Sequence, residues 1–213
     1  MSELVLYLGN KNLSSWSMRA WLGAVRSGVA FREEVIPLDR PDTKQRIRSV
    51  SPSGRVPVLR SGELTVFESL AICEYLAELA PRARLWPEDP HARAVARSVS
   101  CEMHAGFATL RRELPMNIVA RTPLSDIAPE ARADIDRVLT LWRECRYRYG
   151  DAGDFLFGHF TIADAMFAPV ATRFVTYGVQ LDSVGRAYVE AIHALPEMRR
   201  WITDAEREVA ASP

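Results

Sequence analysis

Pro57 and the acid–hydroxyl pair Glu68-Ser69 begin eleven residues apart, and that spacing constrains the chain more than any other feature. Arg55-Val56-Pro57-Val58-Leu59 reads as a turn running into a strand that carries a proline. Glu68-Ser69-Leu70-Ala71-Ile72 reads as the opening of a helix, and Ser61-Gly62-Glu63 predicts a hairpin turn joining Val58-Leu59 to Leu64-Thr65-Val66-Phe67. Proline has no N–H for a sheet ladder, so Pro57 belongs at a strand's edge or beginning. A cis Val56-Pro57 bond would turn the N–H and C=O of Val56 outward, where an extended peptide could pair with them like an added strand.

The flanking segments extend this pattern. Leu4–Leu8 predicts an apolar strand, followed by a loop ending in Ser14-Ser15-Trp16-Ser17. Met18, Trp21, Leu22 and Val25 recur at helical spacing over Trp16–Ser27, and Gly28 supplies the stop. Phe31–Pro37 reads as a short strand, Asp42–Ser49 as a short polar helix, and Ser69–Ala80 as a longer one. The order βαβ, α, ββα is that of a thioredoxin-like α/β domain over residues 1–80. Pro81–Pro87 breaks the pattern, so residues 81–88 are expected to link to a second domain. Over residues 89–213 the strand signals cease. Asp89–Arg112, Pro129–Tyr149, Thr161–Tyr177, Val184–Ala194 and Pro196–Ala210 all predict helices, giving an all-α domain that buries its apolar faces on the first.

Composition excludes some functions. Lys plus Arg equals Asp plus Glu at 27 each, so no overall field favours nucleic acid or an anionic membrane. The weakly charged stretch Phe155–Val170 contains His159, Thr161, Asp164 and Pro169, which suits a buried core helix and not a membrane span. Met1-Ser2-Glu3 runs into a strand with no basic segment before it, so no secretory leader is expected. Three cysteines without close pairs (Cys73, Cys101 and Cys145) suit a reducing cytoplasm. Cys101 and His104 have no second pair nearby, so no metal site is expected.

Three groups could hold a thiol peptide. Val56 offers its backbone. Ser69, at the expected N-cap, could share a helix terminus with a carboxylate while Glu68 accepts from an amino group; the pair could equally be plain capping. The hydroxyls of Ser14-Ser15-Trp16-Ser17 lie where a thiolate would gain from a donor and from the positive helix end, or where they simply cap the helix. The ligand's own sulfur would then be the nucleophile.

In this order and spacing the chain resembles the glutathione S-transferase superfamily over nearly its full length. The matching marks are the serine-bearing first helix, Val56-Pro57, Glu68-Ser69-Leu70-Ala71-Ile72, the all-α second half, and Gly158-His159-Phe160-Thr161-Ile162-Ala163-Asp164, which looks like that family's buried N-capping box with Thr161 as cap and Asp164 three residues on. Ser14-Ser15-Trp16-Ser17-Met18-Arg19 is most similar to the serine motif of the zeta class, which includes maleylacetoacetate isomerases; there the third position is usually cysteine, and here it is Trp16.

The resemblance implies glutathione as co-substrate, held by Ser14, Arg55, Val56, Pro57, Glu68 and Ser69. It implies Ser14 as the thiolate-stabilising hydroxyl, with Ser15 its nearest rival and Tyr7 a tyrosine-type alternative. An acceptor pocket between the domains would be lined by Leu13, Trp16, His104, Phe107 and Arg111, the last three sharing a helical face. Arg111 would pair with an acceptor carboxylate or else make hydrogen bonds between the domains. The expected activity is addition of glutathione to a small electrophile by a cytoplasmic homodimer. Glutathione-dependent cis–trans isomerisation, peroxide reduction and a non-catalytic, partner-binding role are the alternatives.

Overall fold

The computed structural model describes residues 3–211. The first half contains β1 (Leu4–Leu8), α1 (Ser15–Ser27), β2 (Arg32–Val35), α2 (Thr43–Val50), β3 (Val58–Ser61), β4 (Leu64–Phe67) and α3 (Ser69–Leu79). The strands form one mixed sheet in the order β2-β1-β3-β4, with β1 and β2 parallel and the other pairs antiparallel. Central β1 pairs on both edges, Tyr7 lying between Glu34 and Val58. Its Leu4, Val5, Leu6 and Leu8 are all buried, and so the strand reads as a continuous apolar run instead of an alternating one.

Helix α1 is buried around most of its circumference, because it lies between the sheet domain and the helical half. Its Gly23 meets α3 so closely that a Cβ there would stand 2.6 Å from Cys73 Sγ. Gly28, at φ 71°, ends α1 in the left-handed conformation that favours glycine.

After a short 3-10 turn at Pro81–Ala83, the second half contains α4 (Pro90–Ala105), α5 (Ala108–Glu113), α6 (Pro129–Tyr149), α7 (Ile162–Thr176), α8 (Ser183–Ala194) and α9 (Pro196–Ala210). Helix α7 is its axis, buried along nearly its whole length and packed against α1, α4 and α8. Its start is closed by the expected capping box. Asp164 accepts from the Thr161 N–H (2.7 Å), the Thr161 hydroxyl (3.0 Å), the Leu156 N–H (3.0 Å) and the Tyr188 hydroxyl (3.1 Å). Trp142 of α6 packs against Phe167, Phe174 and Tyr188 and fills the space between α6, α7 and α8.

One predicted helix is two. The segment Asp89–Arg112 breaks at Gly106-Phe107, where Phe107 adopts φ 58° and turns into the core. Arg111 folds back and donates from Nη1 to the carbonyls of Met103 and Gly106, satisfying acceptors that the interrupted α4 would leave free.

Candidate active site

The loop between β1 and α1 delivers Ser14 as the N-cap of α1. Its Oγ accepts from the Ser17 N–H (3.4 Å) and stands 2.7 Å from Ser17 Oγ, to which it donates. Ser17 Oγ in turn accepts from the Gly9 N–H at 2.9 Å. Both hydroxyls rotate freely, so turning them together reverses the donor: Ser17 then donates to Ser14, and Ser14 has its proton free for an anion. Ser15, the first residue of α1, is buried beside it, and Leu13 projects outward, half exposed.

Two clefts meet over Trp16. The narrower, of about 340 Å³, is lined by Trp16, Ser53, Arg55, Val56, Pro57, Glu68, His104 and Ala105. The wider, of about 660 Å³, is entered past Leu13, Ser14 and Ser15 and walled by Arg111, Pro115, Met116 and Arg173. Trp16, Arg55 and Val56 line both. The Val56–Pro57 peptide is cis. Glu68 holds the N-cap position of α3 at φ 72°, an uncommon conformation for a non-glycine residue. Ser69, expected at the cap, is instead the first helical residue; its Oγ is buried with no hydrogen-bond partner. A buried hydroxyl with an unused donor at a helix N-terminus fits a ligand carboxylate.

Trp16 is gripped by charge. The guanidinium carbon of Arg19 lies 4.3 Å from its ring centroid and that of Arg111 5.6 Å, while His104 makes an edge contact at 5.1 Å. Arg19 is fully buried, and none of its three side-chain nitrogens has a hydrogen-bond partner. Burial holds its pKa well below the ordinary arginine value, and the nearby Arg173 and Arg111 add to the depression. Arg173, from α7, donates to the carbonyls of Leu114 and Pro169; burial, then Arg111, bring it down to about 10. His104 Nε2 lies 3.6 Å from Glu68 Oε2. Burial keeps the imidazole below its usual range, although that carboxylate acts to raise it.

Most of the residues expected from the sequence therefore converge on these clefts. Phe107 and Ser69 do not: Phe107 lies in the core at the α4–α5 break, Ser69 is fully buried behind Glu68, and neither lines a cleft. Tyr7, half buried in mid-strand, also lines neither. The sequence reading missed Ser53, Arg19, Met116 and Arg173, and gave Ser17 no role apart from its motif. Ser17 stands in the motif itself, but its link to Gly9 appears only once β1 and α1 are side by side. A larger and mostly apolar hollow of about 700 Å³, at the far end of the sheet between Leu4, Phe31, Tyr75 and Leu79, carries no convergent polar set; its Arg32 and Glu3 pair with each other.

A thioredoxin-like sheet domain joined to a helical bundle, with an open helix N-terminus over an interdomain cleft, defines a class of thiol-peptide-binding folds. The chain belongs to the glutathione S-transferase superfamily: residues 13–79 match the glutathione S-transferase N-terminal domain and residues 102–204 the C-terminal domain. It is 31% identical over 112 residues to the maleylacetoacetate isomerase of Rattus norvegicus, a match that covers 50% of this chain and 50% of that protein. It is 22% identical to glutathione S-transferase omega-2 of Mus musculus over 98% of this chain and 77% of that one. Among solved structures it is similar to a glutathione transferase homologue from Burkholderia with bound glutathione, at TM-score 0.73 and 25% identity, covering 97% of this chain and 99% of the other. Among the described residues no helix is long and apolar enough to cross a membrane, and no cluster of three or more His, Cys, Asp or Glu is placed to hold a metal.

Proposed function

We propose that the chain is a serine-type glutathione transferase. Glutathione lies in the narrower cleft, its backbone beside Val56, its amino group on Glu68 and the adjoining carboxylate on Ser69 Oγ and the N-terminus of α3. Its sulfur points past Trp16 to Ser14. The observation that carries this reading is the Gly9–Ser17–Ser14 hydrogen-bond chain at the N-terminus of α1. A thiolate there gains the Ser14 proton and the positive helix end, both of which lower the pKa of the bound thiol. The thiol proton leaves to solvent, and the sulfur pair forms a C–S bond to an electrophilic carbon in the wider cleft while the π pair of the acceptor's double bond moves onto its electron-withdrawing group and is then protonated from solvent. Holding the two together supplies most of the acceleration. Arg111 and Arg173 suit an acceptor that bears a carboxylate.

A second reading has one specific support, the identity to maleylacetoacetate isomerases over half the chain. In that case the thiolate adds to a double bond, the resulting single bond rotates, and elimination returns the thiolate with no net consumption. Trp16, where the zeta motif usually has cysteine, fills space beside the sulfur and disfavours a long acceptor. Homodimerisation belongs to the same proposal.

Calorimetric titration of glutathione tests the site. Replacing Glu68 and Ser69 together by alanine should abolish binding, whereas Ser14→Ala should still bind with a thiol pKa raised by about one to two units. Arg111→Ala should weaken acidic acceptors selectively; equal loss for neutral ones rules the carboxylate contact out. Absence of glutathione binding by the unaltered protein would move the assignment to a partner-binding member of the family.

A further inference from the structure

The loop that carries Ser14 is seated on the far end of the chain. Lys11, only 5% exposed, puts its Nζ 2.7 Å from Asp204 of α9 and 2.5 Å from Glu33 of β2. The same ammonium lies 5.4 Å from the Trp21 ring centroid and 5.3 Å from that of Trp201, between two indoles that are themselves in contact at 5.0 Å. The loop backbone is held too. Trp201 Nε1 donates to the Lys11 carbonyl (2.8 Å), and Glu208 accepts from the N–H groups of Lys11 (2.7 Å) and Asn12 (3.3 Å). Asn12 Oδ1 accepts from the Val119 N–H, and Asn10 Oδ1 from the Leu38 N–H. The Ser14 N–H then closes on the Asn10 carbonyl at 2.8 Å.

We infer that Lys11 is a positioning residue for Ser14, and that α9, through Asp204, Trp201 and Glu208, clamps the loop whose geometry sets the activation of the bound thiol. This rests on the serine-type reading above. Nearly every polar backbone group of residues 10–14 is tied either within the loop or to an element outside it, so the Ser14 hydroxyl inherits its place from the clamp. A buried ammonium between two indoles and two carboxylates has one favourable position, and losing it frees the loop. Displacing a catalytic group by an ångström costs on the order of 100-fold in rate. By contrast Val56 stands two residues before β3, and Glu68 and Ser69 at the start of α3, and none of the clamp's hydrogen bonds or ion pairs involves them. Affinity and thiol activation should therefore separate.

The test uses the full chain with Lys11→Met, Lys11→Arg and Trp201→Phe, the last removing the bond to the Lys11 carbonyl and trimming the ring that packs on Nζ and Trp21. Thiolate absorbance of bound glutathione against pH, and calorimetry with S-methylglutathione, are the two readouts. Lys11→Met and Trp201→Phe should raise the thiol pKa and lower kcat roughly tenfold, and S-methylglutathione affinity should change less than about threefold. Lys11→Arg should restore most of the activation, and Lys11→Met should add nothing in a Ser14→Ala background. An unchanged thiol pKa, or affinity falling in step with activity, overturns the inference; should Lys11→Met not fold, Trp201→Phe decides it. Failure of the parent reading looks different: Ser14→Ala itself would leave the thiol pKa unmoved.

Discussion

Asp164, in the first turn of α7, and Arg19, in the α1 helix packed against it, are both fully buried and opposite in how their neighbours treat them. Asp164 accepts four hydrogen bonds within the helical half. Burial pushes its pKa up, and those bonds pull it back. Arg19 has no hydrogen-bond partner for any of its nitrogens, only the face of Trp16, and Arg173 and Arg111, which act on it most strongly among the charged groups, carry its own sign. A satisfied buried polar group specifies a fold, whereas an unsatisfied one next to a cleft costs stability that only function explains.

The largest expected effect lies on the satisfied side. Asp164→Ala strands four buried donors and should cost roughly 3–5 kcal/mol in urea unfolding, more than any surface replacement. A loss below about 1 kcal/mol would show that the box is dispensable and dissolve the contrast. Next comes a change of opposite sign. Arg19→Met keeps the volume beside Trp16 and removes a buried charge that only the Trp16 ring offsets, so the folded state should gain about 1–3 kcal/mol. Lower stability would mean that Arg19 finds partners in solution and that the two sites are alike.

Tyr188→Phe removes one donor from Asp164 and leaves three, at a cost of about 1 kcal/mol by the same unfolding measurement. The smallest effect is on pH. Burial depresses the folded-state pKa of His104 and of His193 below the ordinary imidazole value. The unfolded chain therefore takes up protons first as pH falls. Stability is full above about pH 6.5 and declines below it, toward the depressed folded-state values. His104→Gln should flatten part of that decline in a pH series of melting temperatures; an unchanged slope would assign it to His193 and the carboxylates.

Elements with their own local signals are legible in the chain. Leu4–Leu8, Pro129–Tyr149 and Pro196–Ala210 appear with the boundaries read from apolar pattern and an N1 proline, because each carries its start signal within itself. The break at Gly106-Phe107 is invisible because the spacing of His104, Phe107 and Arg111 continues the helical pattern; burial of Phe107 and the return of Arg111 onto α4 end the helix from outside. The one-residue shift at Glu68-Ser69 has a similar origin, since a glutamate at positive φ is a tertiary choice and not a propensity. In the site, Ser14, Val56 and Glu68 belong to one contiguous domain and could be read together. Arg19, Arg173 and the α9 clamp depend on contacts across 100 residues or more, or on which face of α1 turns inward, and no local pattern encodes those.

Trp16 lines both clefts, and that has a consequence for how this protein can diversify. A partition common to two chambers cannot be moved for the benefit of one: on the proposed function, any side chain accepted at position 16 must suit the peptide thiol and the acceptor at once. Arg111, Pro115, Met116 and Arg173 border only the wider cleft, the proposed acceptor chamber. Lineages that acquire new acceptors should therefore vary Pro115 and Met116 first while the indole stays, because Arg111 and Arg173 also hold backbone carbonyls, and a change at Trp16 should arrive together with changes among its neighbours.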